Sequence, residues 1–368
     1  MHNDTLASAR IRAVNFAYAH LAKPIYFRRD PERVHNDLLA AGSKLGSSGL
    51  GMRLASAVFD HQDGRLAQQV MGIRFRNPVG LSAGFDKNGT NASIMASVGF
   101  GFSEVGSVTR NPCAGNPGTR LKRLPEDRSI WVHLGLNNDG ADAIHERLWR
   151  VVHRIPICIS VAKTNSPETK DSDVGLADYL YTVKRFGDVA DMFDLNISCP
   201  NAFGAKDFAD PSLFEQLASG VMGLRPRQPI LVKLSPDLDE GNMDRIVEIA
   251  ADNGISGFIC TNLTERHGEG SGGLSGKRVE AASNGTLSYI SRRSREMGAR
   301  FTLVGVGGIF SAEDAYRKIR IGASLVELIT GMIYEGPGLI GAINLGLAKL
   351  LERDGFSSIS QAVGADAR

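Results

Sequence analysis

The feature that most constrains the fold of this chain is a regular alternation of short apolar runs with helix-length segments between about residues 78 and 328. Alternation of this kind is typical of a parallel α/β fold. The runs rich in Val, Ile and Leu lie at 79–82, 102–105, 157–161, 192–197, 230–234, 257–260, 302–306 and 324–328. Eight strand-helix units in about 250 residues are typical of a (β/α)₈ TIM barrel. We therefore predict an α/β protein with this barrel, and a doubly wound sheet is the alternative.

The position of the polar residues separates these two architectures. In a barrel the functional site is assembled from the C-terminal ends of many strands, whereas a dinucleotide-binding sheet concentrates its signal after the first strand. Here polar or glycine-rich sequence follows nearly every apolar run, and no GxGxxG occurs after the first one. The segments are AGFDKNG at 83–89, GSVTRN at 106–111, NISCPN at 196–201, VKLSPD at 232–237, GVGGIF at 305–310 and TGMIYEGP at 330–337. This distribution favours the barrel.

Charge and cysteine content exclude several classes of function. The chain has 42 Lys and Arg against 40 Asp and Glu, a net charge of +2, so no basic field is available to bind nucleic acid. Its 4 cysteines show no CxxC spacing, which predicts neither a metal site nor a disulfide framework. No apolar run is long enough for a membrane span. The N-terminus does not have the pattern of a secretory signal, and an organellar transit segment stays open.

The N-terminal region differs from the rest of the chain. It contains two helix-like stretches, at 7–22 and 31–42, and then a Gly/Ser-rich segment at 42–51. Asp30 before Pro31 is a strong signal for a helix start. The helices are rich in apolar and aromatic residues, so they either cap a larger domain or form a platform that binds a membrane surface. We divide the chain into a helical extension and linker at 1–51, a barrel at 52–350 and a tail at 351–368.

A glycine-rich loop near the end of the chain predicts a phosphate site. The segment 305–310 leads from a strand into a helix whose start carries Ser311 and Asp314, the pattern of a capping box. Glycine backbone N–H groups and a helix N-terminus bind anions well. In barrels of this type the phosphate lies between the last two strand-helix loops, and the last loop here supplies Thr330 and Gly331. The alternative is a tight turn without a ligand.

Two lysines stand at strand ends in apolar surroundings. Lys87 follows the first strand, and Lys233 lies within VKL at the end of the fifth. A lysine is costly to bury without an anionic partner. Either side chain alone could reach solvent at the barrel rim. Because both are expected at the same rim, they favour an anionic ligand such as a reduced cofactor ring.

The segment 196–201 carries the strongest catalytic signal. Asn196 and Asn201 flank Cys199 and Pro200, so amide groups can hold a polar heterocycle beside a proton acceptor. A cysteine with a pKa near 8.5 becomes a thiolate base more readily than a serine does. The alternative for Cys199 is a small buried apolar side chain.

Several strings, taken together and in order, resemble one enzyme family. They are DPERVH at 30–35, NPVGLSAGFDKNG at 77–89, NISCPN at 196–201, VKLSPDL at 232–238, GGLSG at 272–276, VGVGGI at 304–309 and ASLVELITG at 323–331. The chain resembles the dihydroorotate dehydrogenases of the membrane-associated, quinone-using class, which are flavin enzymes of pyrimidine biosynthesis. The resemblance implies FMN at the rim of a (β/α)₈ barrel. In that family a base removes a proton from C5 of dihydroorotate, C6 gives hydride to the flavin, and a quinone takes the electrons.

The resemblance also assigns roles to positions of this sequence. Cys199 stands at the position of the base. The positions that contact FMN are Ala83, Gly84, Lys87, Ser107, Ser160, Asn196, Lys233, Thr261, Gly276, Gly307, Gly308, Thr330 and Gly331. The positions that contact the substrate are Lys87, Leu136, Asn196, Asn201, Asn262 and Leu263. The quinone tunnel contains His35 and Arg120. The implied location is peripheral, at the cytoplasmic face of a bacterial inner membrane or at the mitochondrial inner membrane.

Some positions depart from the family pattern. Cys199 stands where the quinone-using class has serine and the soluble class has cysteine. Val132 replaces an asparagine that touches flavin and substrate, and Leu136 replaces a phenylalanine. Ser160 replaces a flavin-contacting asparagine, and Leu263 replaces a threonine near the substrate. Another reduced ring as substrate, a silent flavoprotein, and fumarate or NAD as electron acceptor therefore stay as alternatives.

Overall fold

The N-terminal region is entirely helical. The computed structural model describes residues 2–200 and 207–367. Its first elements are α1 (His2–Ala17), a π-helical turn (Tyr18–Ala22), α2 (Lys23–Phe27), α3 (Pro31–Gly46) and α4 (Gly49–Phe59). The side chain of Asp30 caps α3 by accepting a hydrogen bond of 2.9 Å from the backbone N–H of Arg33. This confirms the helix start predicted at Asp30 and Pro31.

The sequence suggested that the Gly/Ser-rich segment at 42–51 is a linker, but the structure shows that most of it is helical. Helix α3 continues to Gly46, and α4 begins after Ser48, whose hydroxyl accepts from the backbone N–H of Gly51. The glycines serve close packing instead of flexibility. A Cβ atom on Gly42 would lie 2.1 Å from Oδ1 of Asn91, and one on Gly46 would lie 2.4 Å from Oγ of Ser93. Residue 51, the expected domain boundary, therefore lies inside a helix.

The strands form one closed barrel with two small additions. In chain order they are β1 (Gln68–Val70), β2 (Ile73–Phe75), β3 (Val79–Leu81), β4 (Phe102–Val108), β5 (Leu121–Leu124), β6 (Ser129–Val132), β7 (Ile157–Val161), β8 (Met192–Asn196), β9 (Ile230–Leu234), β10 (Gly257–Cys260), β11 (Gly273–Gly276), β12 (Thr302–Val306) and β13 (Leu325–Leu328). Strands β3, β4, β7, β8, β9, β10, β12 and β13 close the parallel barrel in this order. The predicted (β/α)₈ barrel is confirmed, and the doubly wound alternative is wrong.

The remaining strands and helices surround the barrel. Strands β1 and β2 form a hairpin, and β5, β6 and β11 form an antiparallel sheet. The other helices are α5 (Ala92–Val98), α6 (Ala141–Trp149), α7 (Ser172–Arg185), α8 (Pro211–Gly223), α9 (Glu240–Asp252), α10 (Glu280–Glu296), α11 (Ala312–Ile321), α12 (Thr330–Glu335), α13 (Gly338–Asp354) and α14 (Ile359–Ala362). The expected tail at 351–368 begins inside α13, and α14 within it buries Ile359 and Ala362.

The barrel interior changes from apolar to charged toward its rim. Side chains on a strand point alternately to its two faces, so every second residue points inward. The deeper layer is apolar, consists of Phe102, Cys158, Met192, Leu231, Ile259, Val304 and Leu325, and packs on Phe75 of the hairpin. Two residues further along four of these strands, the layer above contains Glu104, Asp194, Lys233 and Glu327, all buried. This charged layer lies directly below the strand ends that form the site.

Candidate active site

A cavity of about 500 Å³ lies between the C-terminal ends of the barrel strands and the N-terminal helices. At one end it is lined by Cys199, Asn262 and Lys233, and at the other by Phe27 and Val34. The rim of the barrel and the helical extension therefore share one continuous space.

Most residues predicted from the sequence line this cavity. The predicted FMN positions on its wall are Ala83, Gly84, Lys87, Ser107, Asn196, Lys233, Thr261, Gly276, Gly307, Gly308, Thr330 and Gly331. The predicted substrate positions on its wall are Lys87, Leu136, Asn196, Asn262 and Leu263. Cys199 and His35 also line it. The structure thus brings together residues that are up to about three hundred positions apart in the chain.

Three predicted positions are not part of the observed wall. Ser160 is fully buried behind Ser107, at an Oγ to Oγ distance of 2.9 Å. Arg120 forms an ion pair with Glu32 instead of facing the cavity. Asn201 lies outside the described residues. Among the described residues, Ser160 and Arg120 therefore contact the site only through Ser107 and Glu32.

Arg123 lines the cavity but was not predicted from the sequence. It lies on β5, three residues after Arg120, and its guanidinium carbon is 4.9 Å from the ring centroid of Phe27. Tyr18 and Tyr26 of the helical extension also line the cavity. The concentration of aromatic residues near Pro24 was the signal that could have assigned these two residues to the wall.

Glycine backbone forms one side of the cavity. Gly276, Gly307 and Gly308 have φ angles of 102°, 99° and 74°, a conformation that glycine adopts without strain. A Cβ atom on Gly331 would lie 2.0 Å from the carbonyl oxygen of Ile309. These positions exclude side chains and expose backbone polar groups to the cavity, which suits a phosphate. The predicted cap of the next helix is confirmed, because Ser311 accepts from the N–H of Asp314 at 3.1 Å.

Lys233 is held by buried carboxyl groups. Its Nζ lies 2.8 Å from Oε2 of Glu104 and 3.6 Å from Oδ2 of Asp194. Burial disfavours the charge of this lysine, but Glu104, Asp194 and Glu327 outweigh it and raise the pKa of Lys233 above its usual value. Burial likewise opposes ionisation of Glu104, yet Lys233 brings the pKa of Glu104 below its usual value. Lys233 and Glu104 therefore form a buried ion pair at neutral pH.

The other two carboxyl groups of this layer are neutral acids. Burial raises the pKa of Asp194 and of Glu327 well above the usual range, and the neighbouring charge of Glu104 adds to the effect. Oδ1 of Asp194 and Oε2 of Glu327 accept no hydrogen bond from the described residues. A proton on each of these oxygens explains this, because it would be donated to Glu104, whose side-chain hydrogen bonds with both groups contribute to the raised pKa values. One positive and one negative charge then balance inside the barrel.

Lys87 and His35 have a different environment. Burial lowers the pKa of Lys87 to about 8, an effect that Glu32 offsets only partly. Burial, together with the charge of Lys87, lowers the pKa of His35 to about 3. The His35 ring stacks edge-on against Phe85 at a centroid distance of 5.0 Å. His35 is therefore a neutral group in the wall of the cavity, and Lys87 is a cation that an anionic ligand would stabilise.

Cys199 lies where β8 has ended, among apolar neighbours. It is 7 % exposed and packs against Leu136 and Ala162. Two of the predicted substrate amides lie on the same wall. Nδ2 of Asn262 donates a hydrogen bond of 3.1 Å to Oδ1 of Asn196. The site thus places a thiol and two amides beside a cavity that also contains two lysines.

Fold and site together define a class of protein, a (β/α)₈ barrel with a polar cavity at its C-terminal rim and a helical cover over it. Comparison with known proteins identifies the family. The family model of dihydroorotate dehydrogenase matches residues 65–351. This chain belongs to the dihydroorotate dehydrogenase family and is an oxidoreductase.

Relatives resemble the chain over nearly its whole length. A dihydroorotate dehydrogenase (quinone) of Natronomonas pharaonis is 40 % identical over 357 residues, which cover 94 % of this chain and 98 % of the relative. The protein of the same name from Gloeobacter violaceus is 41 % identical over 352 residues, with 94 % and 98 % covered. That of Deinococcus deserti is 40 % identical over 370 residues, with 95 % and 100 % covered. The resemblance inferred from the sequence motifs is confirmed.

Solved structures agree. The dihydroorotate dehydrogenase of Eimeria tenella, in complex with ferulenol, superposes with a TM-score of 0.83 at 29 % identity and covers 92 % of this chain and 96 % of the other. The ligand-free form gives a TM-score of 0.82. The fold is therefore shared over most of the chain.

Proposed function

We propose that this protein is an FMN enzyme that oxidises dihydroorotate to orotate in pyrimidine biosynthesis and passes the electrons to a quinone. The observation that carries the proposal is the shared cavity. Its barrel end combines Cys199, Asn196 and Asn262 with the two lysines, and its other end lies under the N-terminal helices. Relatives that are about 40 % identical over nearly the whole chain are named dihydroorotate dehydrogenase (quinone).

The cavity suits FMN. The glycine backbone at Gly276, Gly307 and Gly308 would hold the phosphate, and Thr330 would add a hydroxyl. Lys87 and Lys233 would stabilise the negative charge of a reduced ring. The chemistry that bound FMN would supply is two-electron oxidation of the substrate and delivery of those electrons to the acceptor.

The substrate end supplies a base and hydrogen bonds. Cys199 as thiolate would take the proton from C5 of dihydroorotate. Asn196 and Asn262 would hold the pyrimidine ring. The apolar environment of Cys199 keeps water away from the reacting atoms, which strengthens the electrostatic interactions there.

The quinone end is apolar and aromatic. Phe27, Val34 and Leu38 line it, and neutral His35 can donate to or accept from a quinone oxygen. The large apolar side chains that are strongly exposed in this region are Leu6, Phe16, Leu21, Ile25, Leu38, Leu45, Leu50, Leu54 and Val58. Among the described residues, no helix is long and apolar enough to span a bilayer. We therefore infer that the extension lies on the membrane surface, from which quinone enters the cavity.

The decisive experiment is anaerobic addition of dihydroorotate to the FMN-loaded protein. We expect the visible flavin absorbance to bleach, and a short-chain quinone added afterwards to restore it. An oxidised spectrum that does not change would exclude this substrate. Restoration by fumarate or NAD, but not by quinone, would assign the alternative acceptors.

A second candidate function is oxidation of another reduced ring. Val132, Leu136 and Leu263 are apolar residues on the cavity wall, where the family pattern has other residues. Fewer polar groups there would suit a less polar ring than dihydroorotate, because a buried polar group without a partner costs about 1 to 3 kcal/mol. A panel of dihydropyrimidines in the same bleaching assay separates the two candidates. Faster bleaching by a ring without the carboxylate would favour the second.

The membrane contact has its own test. Phe16 and Leu21 are 66 % and 67 % exposed. We expect the double variant Phe16→Glu and Leu21→Glu to bind liposomes at least about tenfold more weakly. Wild type would bury two apolar side chains in the membrane surface, whereas the variant would have to bury two charged ones. Trp149 on α6 is 68 % exposed and gives the matched control, Trp149→Glu. Equal liposome binding by wild type and double variant would contradict the membrane proposal.

A further inference from the structure

A continuous row of hydrogen-bonded side chains leads from the cavity into the charged layer of the barrel. The row consists of Asn262, Asn196, Ser107, Ser160 and Asp194, and we call it the polar row. Its donor to acceptor distances are 3.1 Å from Asn262 to Asn196, 2.8 Å from Asn196 to Ser107, 2.9 Å between Ser107 and Ser160, and 2.7 Å from Ser160 to Asp194. Neither Ser160 nor Asp194 reaches the cavity.

The inner end of the polar row determines its direction. Ser160 has a single hydroxyl proton, and it donates this proton to Oδ2 of Asp194. The bond between the two serines must then use the proton of Ser107. Ser107 can only accept from its other neighbour, so Asn196 turns its NH₂ group toward Ser107.

The contacts at the outer end of the row favour the same direction. The backbone N–H of Leu263 donates to Oδ1 of Asn262 at 2.8 Å. The backbone N–H of Ser198 donates to Oδ1 of Asn196 at 3.3 Å. Both bonds fit an amide oxygen and leave the NH₂ group of Asn262 for Asn196. The bond at Asn196 is the longer of the two, so the orientation of this amide depends more on its bond to Ser107. The two ends therefore agree on the orientation of both amides.

This orientation decides what the two asparagines offer to a ligand. Among the described residues, Ser107 takes one N–H of Asn196, and the second N–H is left for the cavity. Asn262 uses both of its N–H groups on Asn196 and Ser198, and its oxygen retains one lone pair beyond Leu263. The pair thus presents one donor and one acceptor, the complement of the adjacent C=O and N–H of a cyclic imide.

We propose that Ser160 and Asp194 are positioning residues that hold Asn196 and Asn262 in the orientation that recognises the imide edge of the substrate ring. The inference rests on the proposed function, because it takes a dihydropyrimidinedione as the ligand. Asp194 is itself held in place next to Lys233 and Glu104. Ser160 connects this rigid layer to the wall of the site, in place of the asparagine of the family pattern.

The test compares variants that differ in one hydroxyl. Ser160→Ala removes the link to Asp194, and Ser160→Thr keeps it. Ser103→Ala is the matched control, because Ser103 is a buried barrel serine whose Oγ has no hydrogen-bond partner in the described structure. The measured quantity is kcat/KM for dihydroorotate relative to its N3-methyl derivative, which lacks the imide N–H. Flavin content and thermal stability are measured alongside.

We expect the preference for dihydroorotate to fall about tenfold in Ser160→Ala, the effect of one lost hydrogen bond of ordinary strength. The preference should stay within about twofold of wild type in Ser160→Thr and in Ser103→Ala. An unchanged preference in Ser160→Ala, or an equal loss in Ser103→Ala, would overturn the proposal.

Atomic-resolution crystal structures of wild type and Ser160→Ala without substrate give a second readout. In wild type we expect Nδ2 of Asn196 to donate to Ser107. In the variant we expect the Asn196 amide to be present in both orientations. If Oδ1 of Asn196, instead of Nδ2, faces Ser107 in wild type, the proposal is also overturned. If dihydroorotate never reduces the flavin, the proposed function fails, and these structures still decide the direction of the polar row.

Discussion

The two ends of the cavity are built by different principles. The barrel end contains Lys87 and two amides above a layer in which Lys233 pairs with Glu104 and the other carboxyl groups are protonated. The helical end contains Phe27, Val34 and neutral His35, and its outer surface exposes apolar side chains. Strand register aligns polar residues from several strands at the barrel end, because alternate positions of every strand point inward. Helix backbone groups are bonded within the helix, so the helices over the rim turn only side chains toward the cavity, and that end is mainly apolar and aromatic. The comparison predicts two half-reactions that can be damaged separately.

The largest effect should come from the thiol at the barrel end. We expect Cys199→Ala to slow anaerobic flavin reduction by dihydroorotate about 10²-fold to 10⁴-fold, the usual contribution of a general base. Reoxidation of chemically reduced enzyme by quinone should stay near the wild-type rate. Stopped-flow absorbance measures both steps. The rate of flavin reduction in Cys199→Ser should lie between those of wild type and Cys199→Ala, since serine is a weaker base. An equal loss of rate in both steps would show that the two ends do not act separately.

The two lysines of the barrel end should differ in their effect on stability. Lys233→Met leaves Glu104 without its cation, and we expect it to lower the free energy of unfolding by about 3 to 5 kcal/mol. Lys87 has no carboxylate within ion-pair distance in the described structure, so Lys87→Met should change that free energy by about 1 kcal/mol or less. Urea unfolding of the two variants gives the comparison. Equal losses of unfolding free energy would show that the ion pair of Lys233 and Glu104 does not contribute to stability as proposed.

A bulky substitution at the helical end tests the other half-reaction. Val34 is 5 % exposed and lines the cavity. We expect Val34→Trp to slow quinone reduction about tenfold to a hundredfold through overpacking, with flavin reduction by substrate within about twofold of wild type. Val152→Trp, next to α6, is the control, because Val152 is 83 % exposed and not part of the wall. A loss of substrate reduction in Val34→Trp would mean that the two ends do not act separately.

The last prediction concerns the dependence of stability on pH. The pKa of His35 is lowered from 6.5 to about 3 in the folded protein, so below pH 6.5 the unfolded chain binds a proton that the folded one does not. Stability must therefore decrease as the pH falls from 6.5 toward 3, by about 1.4 kcal/mol per pH unit from this group. His35→Gln should remove that contribution. Unfolding in urea at pH 5 and pH 7 measures it, and an unchanged pH slope in the variant would show that His35 is not buried as described.

Much of the fold and site could be predicted from the sequence. All eight barrel strands lie where the apolar runs are, because parallel strands buried on both faces require such runs. The glycine loop, both lysines and Cys199 line one cavity, because the C-terminal ends of barrel strands meet at one rim. The helix cap at Asp30 was also predictable, since capping depends on local sequence.

Contacts between distant segments were decided only by the tertiary structure. The glycines at 42 and 46 indicated a linker, but they allow α3 to pack closely on Asn91 and Ser93. Ser160 was expected to contact the flavin, yet its register opposite Asp194 places it behind Ser107. Arg120 contacts Glu32, far away in the chain, and leaves the wall to Arg123. Local patterns determine strands, turns and caps, whereas the partner of a long side chain depends on which segment the fold brings next to it.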